Sequence, residues 1–122
     1  MPFIVALTGI LVGAPETCIE GTATIGVVDA ALDEPARVAL IAQHLAAELG
    51  EEVCVVRQVG WPSRLRWLVV LSRPEHGEAT TRIDVIDLRT RATKRMSARL
   101  DSQAQTVAVG IVSAESIRAH NP

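Results

Sequence analysis

Residues 22–59 read TATIGVVDAALDEPARVALIAQHLAAELGEEVCVVRQV, and they carry signals for a strand, a helix and a second strand. Thr22 to Asp29 is rich in β-branched residues, which predicts a strand. Pro35 after two carboxylates marks a helix start, and Gly50 marks its end. Between them, apolar side chains recur at helical spacing: Val38, Ile41, Leu45 and Leu49. Val53 to Val59 is a nearly continuous apolar run, typical of a buried parallel strand, so the stretch predicts a β-α-β unit.

Three more strands are predicted downstream. Thr80 to Leu88 and Thr93 to Leu100 both alternate, and the alternation shifts phase near Val85-Ile86, which predicts a bulge. Arg64 to Ser72 alternates too, and one face of it holds Leu65, Trp67, Val69 and Leu71. Turn-forming residues separate these strands, so we expect an antiparallel meander with one wet face.

A final helix is predicted to begin at Ser102. Ser102 and Gln105 have the spacing of a capping box. The expected core-facing stripe is Val107, Ile111, Ala114 and Ile117. The element order thus predicts an α/β fold of the two-layer α+β kind. In it, both helices cover one face of a mixed five-stranded sheet, the face with Leu65, Trp67, Val69 and Leu71.

Length and composition are those of one globular domain. The chain has 122 residues, of which 48% are hydrophobic and 21% charged, with a net charge of −2. Residues 1–56 hold eight carboxylates and one base, whereas residues 57–122 hold eleven bases and six carboxylates. We expect a single domain over residues 15–122, with a separate role for the segment before it.

That segment, residues 3–14, reads FIVALTGILVGA and carries no charge. It is too short for a membrane span, which needs about 20 residues, but suits the apolar region of a secretory signal, about 7–15 residues. No lysine or arginine precedes this apolar run. Pro15 would follow directly after the expected cleavage site, which is unfavourable for processing. The alternative is a buried first strand or helix. The favoured prediction is a signal at residues 1–14 and a periplasmic or secreted protein, with a cytoplasmic location as the alternative.

Cys18 and Cys54 are the only cysteines and form no zinc or redox motif. Cys18 lies just before the first predicted strand and Cys54 lies inside the second. A β-α-β unit brings these strand starts together, so a disulfide is predicted if the chain is exported. The alternative is two free thiols, with Cys54 as a small core residue.

The basic cluster between residues 82 and 99 is a candidate anion-binding site. Arg82 is expected to neighbour Arg95 or Arg99 across adjacent strands, where the three would attract phosphates. The face carries no aromatic platform for stacking bases, so nucleic acid is not the expected partner. The alternative is a solvated charged face.

Asp29 and Asp33 flank the carboxyl end of the first predicted strand, where ligands collect in open α/β sheets. With Glu34 they could hold a cation or form an unfamiliar enzyme site. The favoured interpretation is a helix N-cap cluster that complements the helix dipole.

No other chemistry is predicted. Asp84 and Asp87, three residues apart on a strand, should point to opposite faces and do not form an acid/base pair. His44 on a helix surface, His76 in a turn and His120 at the tail lack a metal-ligand spacing. No catalytic residue, metal ligand or cofactor is therefore predicted.

The element order over residues 22–118 resembles the N-terminal domain of TolB and other small modules of the Gram-negative envelope. This resemblance implies a periplasmic binding or assembly module. The first hypothesis is accordingly a non-enzymatic periplasmic interaction module with a protein partner and no transmembrane span. The alternatives are a cytosolic nucleic-acid or phosphate-ligand binder that uses the arginine strands, and a small enzyme with a site near Asp29 and Asp33.

Overall fold

A computed structural model describes residues 17–18, 22–30, 35–57, 64–73 and 80–120. Residues 1–14, Asp33, Glu34 and His76 lie outside this part, and so do the predictions made on them. The elements are β1 (Ile25–Asp29), α1 (Pro35–Leu49), β2 (Val53–Val56), β3 (Trp67–Ser72), β4 (Thr81–Asp87), β5 (Thr93–Ala98) and α2 (Gln103–His120).

The strands form one mixed sheet in the order β2-β1-β3-β4-β5. β1 lies between two parallel neighbours, β2 and β3. β3, β4 and β5 are antiparallel in turn, as expected of a meander. The predicted mixed five-stranded sheet with two helices is therefore confirmed.

The helix ends follow the sequence signals. Pro35 is the first residue of α1. Gly50 ends it with a φ of 66°, a left-handed conformation that glycine adopts without penalty, and donates its N–H to the Ala46 carbonyl at 2.8 Å. At α2, the Gln105 N–H bonds the Ser102 hydroxyl at 3.2 Å, and the Ser102 N–H bonds the Gln105 side chain at 3.1 Å. The predicted capping box is thus present.

The main core lies between the helices and one face of the sheet. It joins buried residues of both helices, such as Leu45 and Ile117, to Trp67, Val69 and Leu71 of β3. Both helices therefore cover the face of β3 that the alternation predicts.

Leu65 is an exception, because it packs on the opposite face of the sheet with Cys18, Ala23, Cys54 and Leu68, which we call the reverse-face cluster. The N–H groups of Arg66 and Trp67 both donate to the Thr24 carbonyl, at 2.7 and 3.1 Å. Arg66 and Trp67 thus both lie opposite Thr24, which makes a bulge just before β3. The bulge reverses the side-chain alternation, so Leu65 faces the other side of the sheet from Trp67.

The predicted bulge in β4 is wrong. The pairing of β4 is continuous with β3 and with β5. Val85 belongs to the main core, whereas Ile86 packs against the reverse-face cluster. The apparent phase shift arises because β4 carries apolar side chains on both faces. Among the described strands of the meander, β5 has the exposed face, because Thr93, Arg95 and Ser97 are exposed, whereas Leu68 on the reverse side of β3 is 2% exposed.

The predicted stripe on α2 is only partly correct. Ala114 and Ile117 are buried, but Val107 and Ile111 are half-buried. The buried face is instead rich in small residues, including Gly110 and Ser113. A Cβ on Gly110 would lie 3.2 Å from the Ile41 carbonyl oxygen and 3.0 Å from Cβ of His44, so the two helices cross closely there. His44 is accordingly half-buried at the crossing and not on the helix surface.

Candidate functional site

Cys18 and Cys54 form a disulfide that closes 36 residues of sequence separation, with their Cα atoms 4.9 Å apart. Thr17 pairs in parallel with Val55, and the Cys18 N–H donates to the Val55 carbonyl at 3.1 Å. Cys18 therefore lies against β2 itself, on the side of that strand away from β1. The predicted pairing is confirmed.

Gly26 of β1 makes room for this arrangement. A Cβ at Gly26 would lie 3.3 Å from Sγ of Cys18 and 3.0 Å from Cδ1 of Leu65. Arg64 fastens the same region, because its guanidinium donates to the carbonyls of Ala23 and Cys18. The disulfide is thus built into the packing of the reverse-face cluster.

The three candidate anion-binding arginines each have a carboxylate partner. Asp84 lies opposite Arg95 and forms an ion pair with it at 2.8 Å, and Arg82 lies 3.6 Å from the other oxygen of Asp84. Arg99 pairs with Asp101 at 3.0 Å. Anion binding by Arg82, Arg95 and Arg99 stays a prediction, but an added anion would have to compete with these carboxylates.

Asp87 is the centre of a polar cluster that the sequence does not reveal. Its side chain lies on the helix side of β4, opposite to Asp84 as expected, and faces Arg66 at 3.5 Å. Arg66 also lies over the Trp67 ring, 5.4 Å from its centroid. The ion pair between Arg66 and Asp87 depends on the strand register. The Leu88 N–H donates to the Arg66 carbonyl at 2.8 Å, and this bond places Arg66 beside the end of β4.

The pKa of Asp87 is lowered from its ordinary value. Burial raises the pKa of this carboxyl group. The hydrogen bond from Arg66, the backbone N–H groups of Arg89 and Thr90 and the positive charge of Arg66 together outweigh burial. The carboxylate form is therefore the form that the fold prefers.

Lowering the pH should lower the free energy of unfolding of the wild type, because acid protonates the Asp87 carboxylate. A carboxyl group with a lowered folded pKa stabilises the protein above its unfolded pKa of about 3.9, and this contribution is lost as the pH falls through the folded value. The urea concentration at the unfolding midpoint of the wild type should fall below about pH 4, and we expect a smaller fall for Asp87→Asn. The matched control is Asp101→Asn, which removes an exposed carboxylate. Equal acid profiles for wild type and Asp87→Asn would contradict the expectation.

The turn between β4 and β5 is basic, and so is the start of β5. Arg89, Arg91 and Lys94, which we call the basic turn, are exposed, and none of them has a carboxylate partner among the described residues. Arg91 has a φ of 67°, where glycine is usual. Positive charge is therefore concentrated here, on the members of the basic cluster at residues 82–99 that lie outside the trio Arg82, Arg95 and Arg99.

A cleft of about 460 Å³ opens at the carboxyl ends of β1 and β2. Asp29 lines it as expected, together with Ala30, Pro35 and Arg57. Asp29 is the only carboxylate among the described lining residues, and it already has a partner. The described residues that line the cleft thus include one carboxylate, Asp29, and one arginine, Arg57, and these two side chains are not an acid/base pair.

The described residues hold no cluster of three or more histidines, cysteines or carboxylates that would suit a metal ion. His120 contacts Trp67 edge-on, with ring centroids 6.3 Å apart, and its Nδ1 lies 3.1 Å from the Ser116 carbonyl oxygen. This histidine therefore has a structural contact.

Neither α1 nor α2 has the length and apolar character needed to cross a membrane.

Comparison with known proteins gives little guidance. No protein-family model and no curated protein matches the chain. A solved PelC dodecamer from Paraburkholderia phytofirmans is similar to it at 13% sequence identity and a TM-score of 0.43, over 84% of this chain and 88% of that chain. At this TM-score the similarity supports no inference about function.

Proposed function

We propose that the chain is a non-enzymatic protein-interaction module of the bacterial envelope that works in the periplasm. The observation that carries this proposal is the Cys18–Cys54 disulfide. Disulfides persist in oxidising compartments and are rare in the cytosol of ordinary bacteria. The bridge is also closely packed, with Cys54 fully buried and Cys18 2% exposed, so it belongs to the structural core.

The uncharged run at residues 3–14 supports the same compartment, because its length suits a secretory signal.

An interaction role is supported by the chemistry of the described surface. Asp84 and Asp87 are both engaged by arginines and lie on opposite faces of β4. The surface instead offers an open sheet edge beside a basic turn, and these are features that bind other chains.

Export and oxidation can be tested in one experiment. The full chain is expressed with its own N-terminus in a Gram-negative host, and the periplasmic product is weighed with and without reductant. We expect a chain that has lost residues 1–14 and that gains the mass of two hydrogen atoms on reduction. Leu11→Glu, which interrupts the apolar run, serves as the control and should hold the chain in the cytosol. An intact Met1 in the cytosol with both thiols free would overturn the proposal.

A further inference from the structure

The two edges of the sheet differ in how they are covered. β2, at one edge, has four residues, and Thr17 and Cys18 lie along its outer side. The disulfide fixes that cover in place. β5, at the other edge, has six residues, and no described strand pairs with its outer side. β5 is therefore the edge that can accept another strand.

The register identifies which backbone groups of β5 point outward. The Asp87 N–H bonds the Ala92 carbonyl at 2.9 Å, so Ala92 faces β4. In an antiparallel ladder the direction alternates from residue to residue, so Lys94 and Met96 face β4 as well. The N–H and C=O groups of Thr93, Arg95 and Ser97 consequently point away from the sheet.

The charge around this edge selects the incoming strand. Arg95 and Arg99 lie on or beside β5, and the basic turn adds Arg89, Arg91 and Lys94 at one end. In an antiparallel pairing of two copies centred on Arg95, the two Arg95 side chains would be directly opposite each other, and like charges opposite each other are destabilising. A strand that carries carboxylates would be attracted instead.

We propose that the β5 edge binds an extended, acidic segment of a partner protein by strand addition. This inference rests on the proposed interaction function and names the chemistry of the partner. The outward groups of Thr93, Arg95 and Ser97 supply main-chain hydrogen bonds. The basic turn holds the carboxylates of the incoming strand, since its cations have no described carboxylate partner.

The first test uses two labelled peptides of about eight residues, the length of an ordinary strand. One alternates threonine and glutamate. The other has the same glutamates with proline in place of threonine, which keeps the charge but removes every second backbone N–H and disfavours a β-strand. Fluorescence anisotropy at low salt should show the threonine peptide binding about tenfold more tightly than the proline peptide. Equal binding of both peptides, or none of either, would overturn the proposal.

The second test changes the protein. Ser97→Pro removes an outward N–H at a position where edge strands tolerate proline, and Ser97→Ala keeps that N–H. We expect Ser97→Pro to lose about tenfold in affinity for the threonine peptide and Ser97→Ala to bind as wild type. If Ser97→Pro does not fold, Arg91→Glu combined with Lys94→Glu should produce a similar loss by reversing charge in the basic turn. Unchanged affinity in the folded variants would overturn the proposal.

The alternative ligand and the proposed function are judged separately. A single-stranded oligonucleotide that displaces the threonine peptide and binds more tightly than it would reject an acidic peptide in favour of nucleic acid. Failure of peptide binding removes the β5 site but leaves export and the disulfide untouched. An unprocessed, reduced chain removes the periplasmic function whatever the peptides do.

Discussion

Replacing Cys18 and Cys54 together with alanine is expected to lower the free energy of unfolding by about 3–4 kcal/mol. The bridge spans 36 residues of sequence, and cross-linking a loop of this length removes much of the conformational freedom of the unfolded chain. Small domains are stable by only about 5–15 kcal/mol in total. The double variant should therefore be close to the limit of folding at physiological temperature.

Urea unfolding followed by tryptophan fluorescence measures this effect, because Trp67 is buried in the main core. Wild-type protein kept reduced is the control for the two alanines, since it loses the same cross-link and keeps both side chains. The reduced wild type and the double variant should unfold at similar urea concentrations, well below that of the oxidised protein. An oxidised wild type no more stable than either of them would contradict the expectation.

The cysteine pairing could be predicted from the sequence, but the route of the chain could not. Cys54 is in the second strand of the β-α-β unit, as the apolar run indicates. Cys18 is expected just before the first strand, near the start of the second, and it lies beside the outer side of β2. Gly26 explains why this is possible, because its missing side chain leaves space for Sγ of Cys18. Such a close approach depends on packing in three dimensions, and sequence spacing does not report it.

The fold itself could be predicted because its signals are local. Pro35, Gly50 and the Ser102–Gln105 box act within a few residues of the ends that they define. The errors fall where distant segments meet. Leu65 changes face because two N–H groups share the Thr24 carbonyl, and that bond joins segments about forty residues apart in the sequence.

The candidate site was less predictable for the same reason. The sequence shows the arginines between residues 82 and 99, but their ion pairs depend on strand register. Asp84 lies opposite Arg95 and near Arg82, so a carboxylate occupies the centre of the predicted patch. Arg66 precedes β3 by one residue, and only the register of the meander brings it to Asp87. Charge patterns thus locate basic surface, whereas pairing decides which of its cations remain available.

Gly110→Val should lower the free energy of unfolding by about 2–3 kcal/mol, the cost of overpacking a tight contact. A Cβ at this position would lie 3.2 Å from the carbonyl oxygen of Ile41, which is backbone and cannot rotate away. Valine adds two further methyl groups at the same crossing. α1 and α2 would have to separate, which would disturb the main core that they share with β3.

Two variants separate crowding from helix propensity. Ala108→Val puts the same β-branched residue at an exposed position of α2 and should cost only a few tenths of a kcal/mol. Gly110→Ala gains about 1 kcal/mol of helix propensity, which offsets part of the clash, so its loss should be much smaller than that of Gly110→Val. Equal urea midpoints for Gly110→Val and Ala108→Val would show that the helices do not depend on glycine at their crossing. A loss confined to Gly110→Val would show that the close approach of α1 and α2 at Gly110 contributes to holding the two helices together.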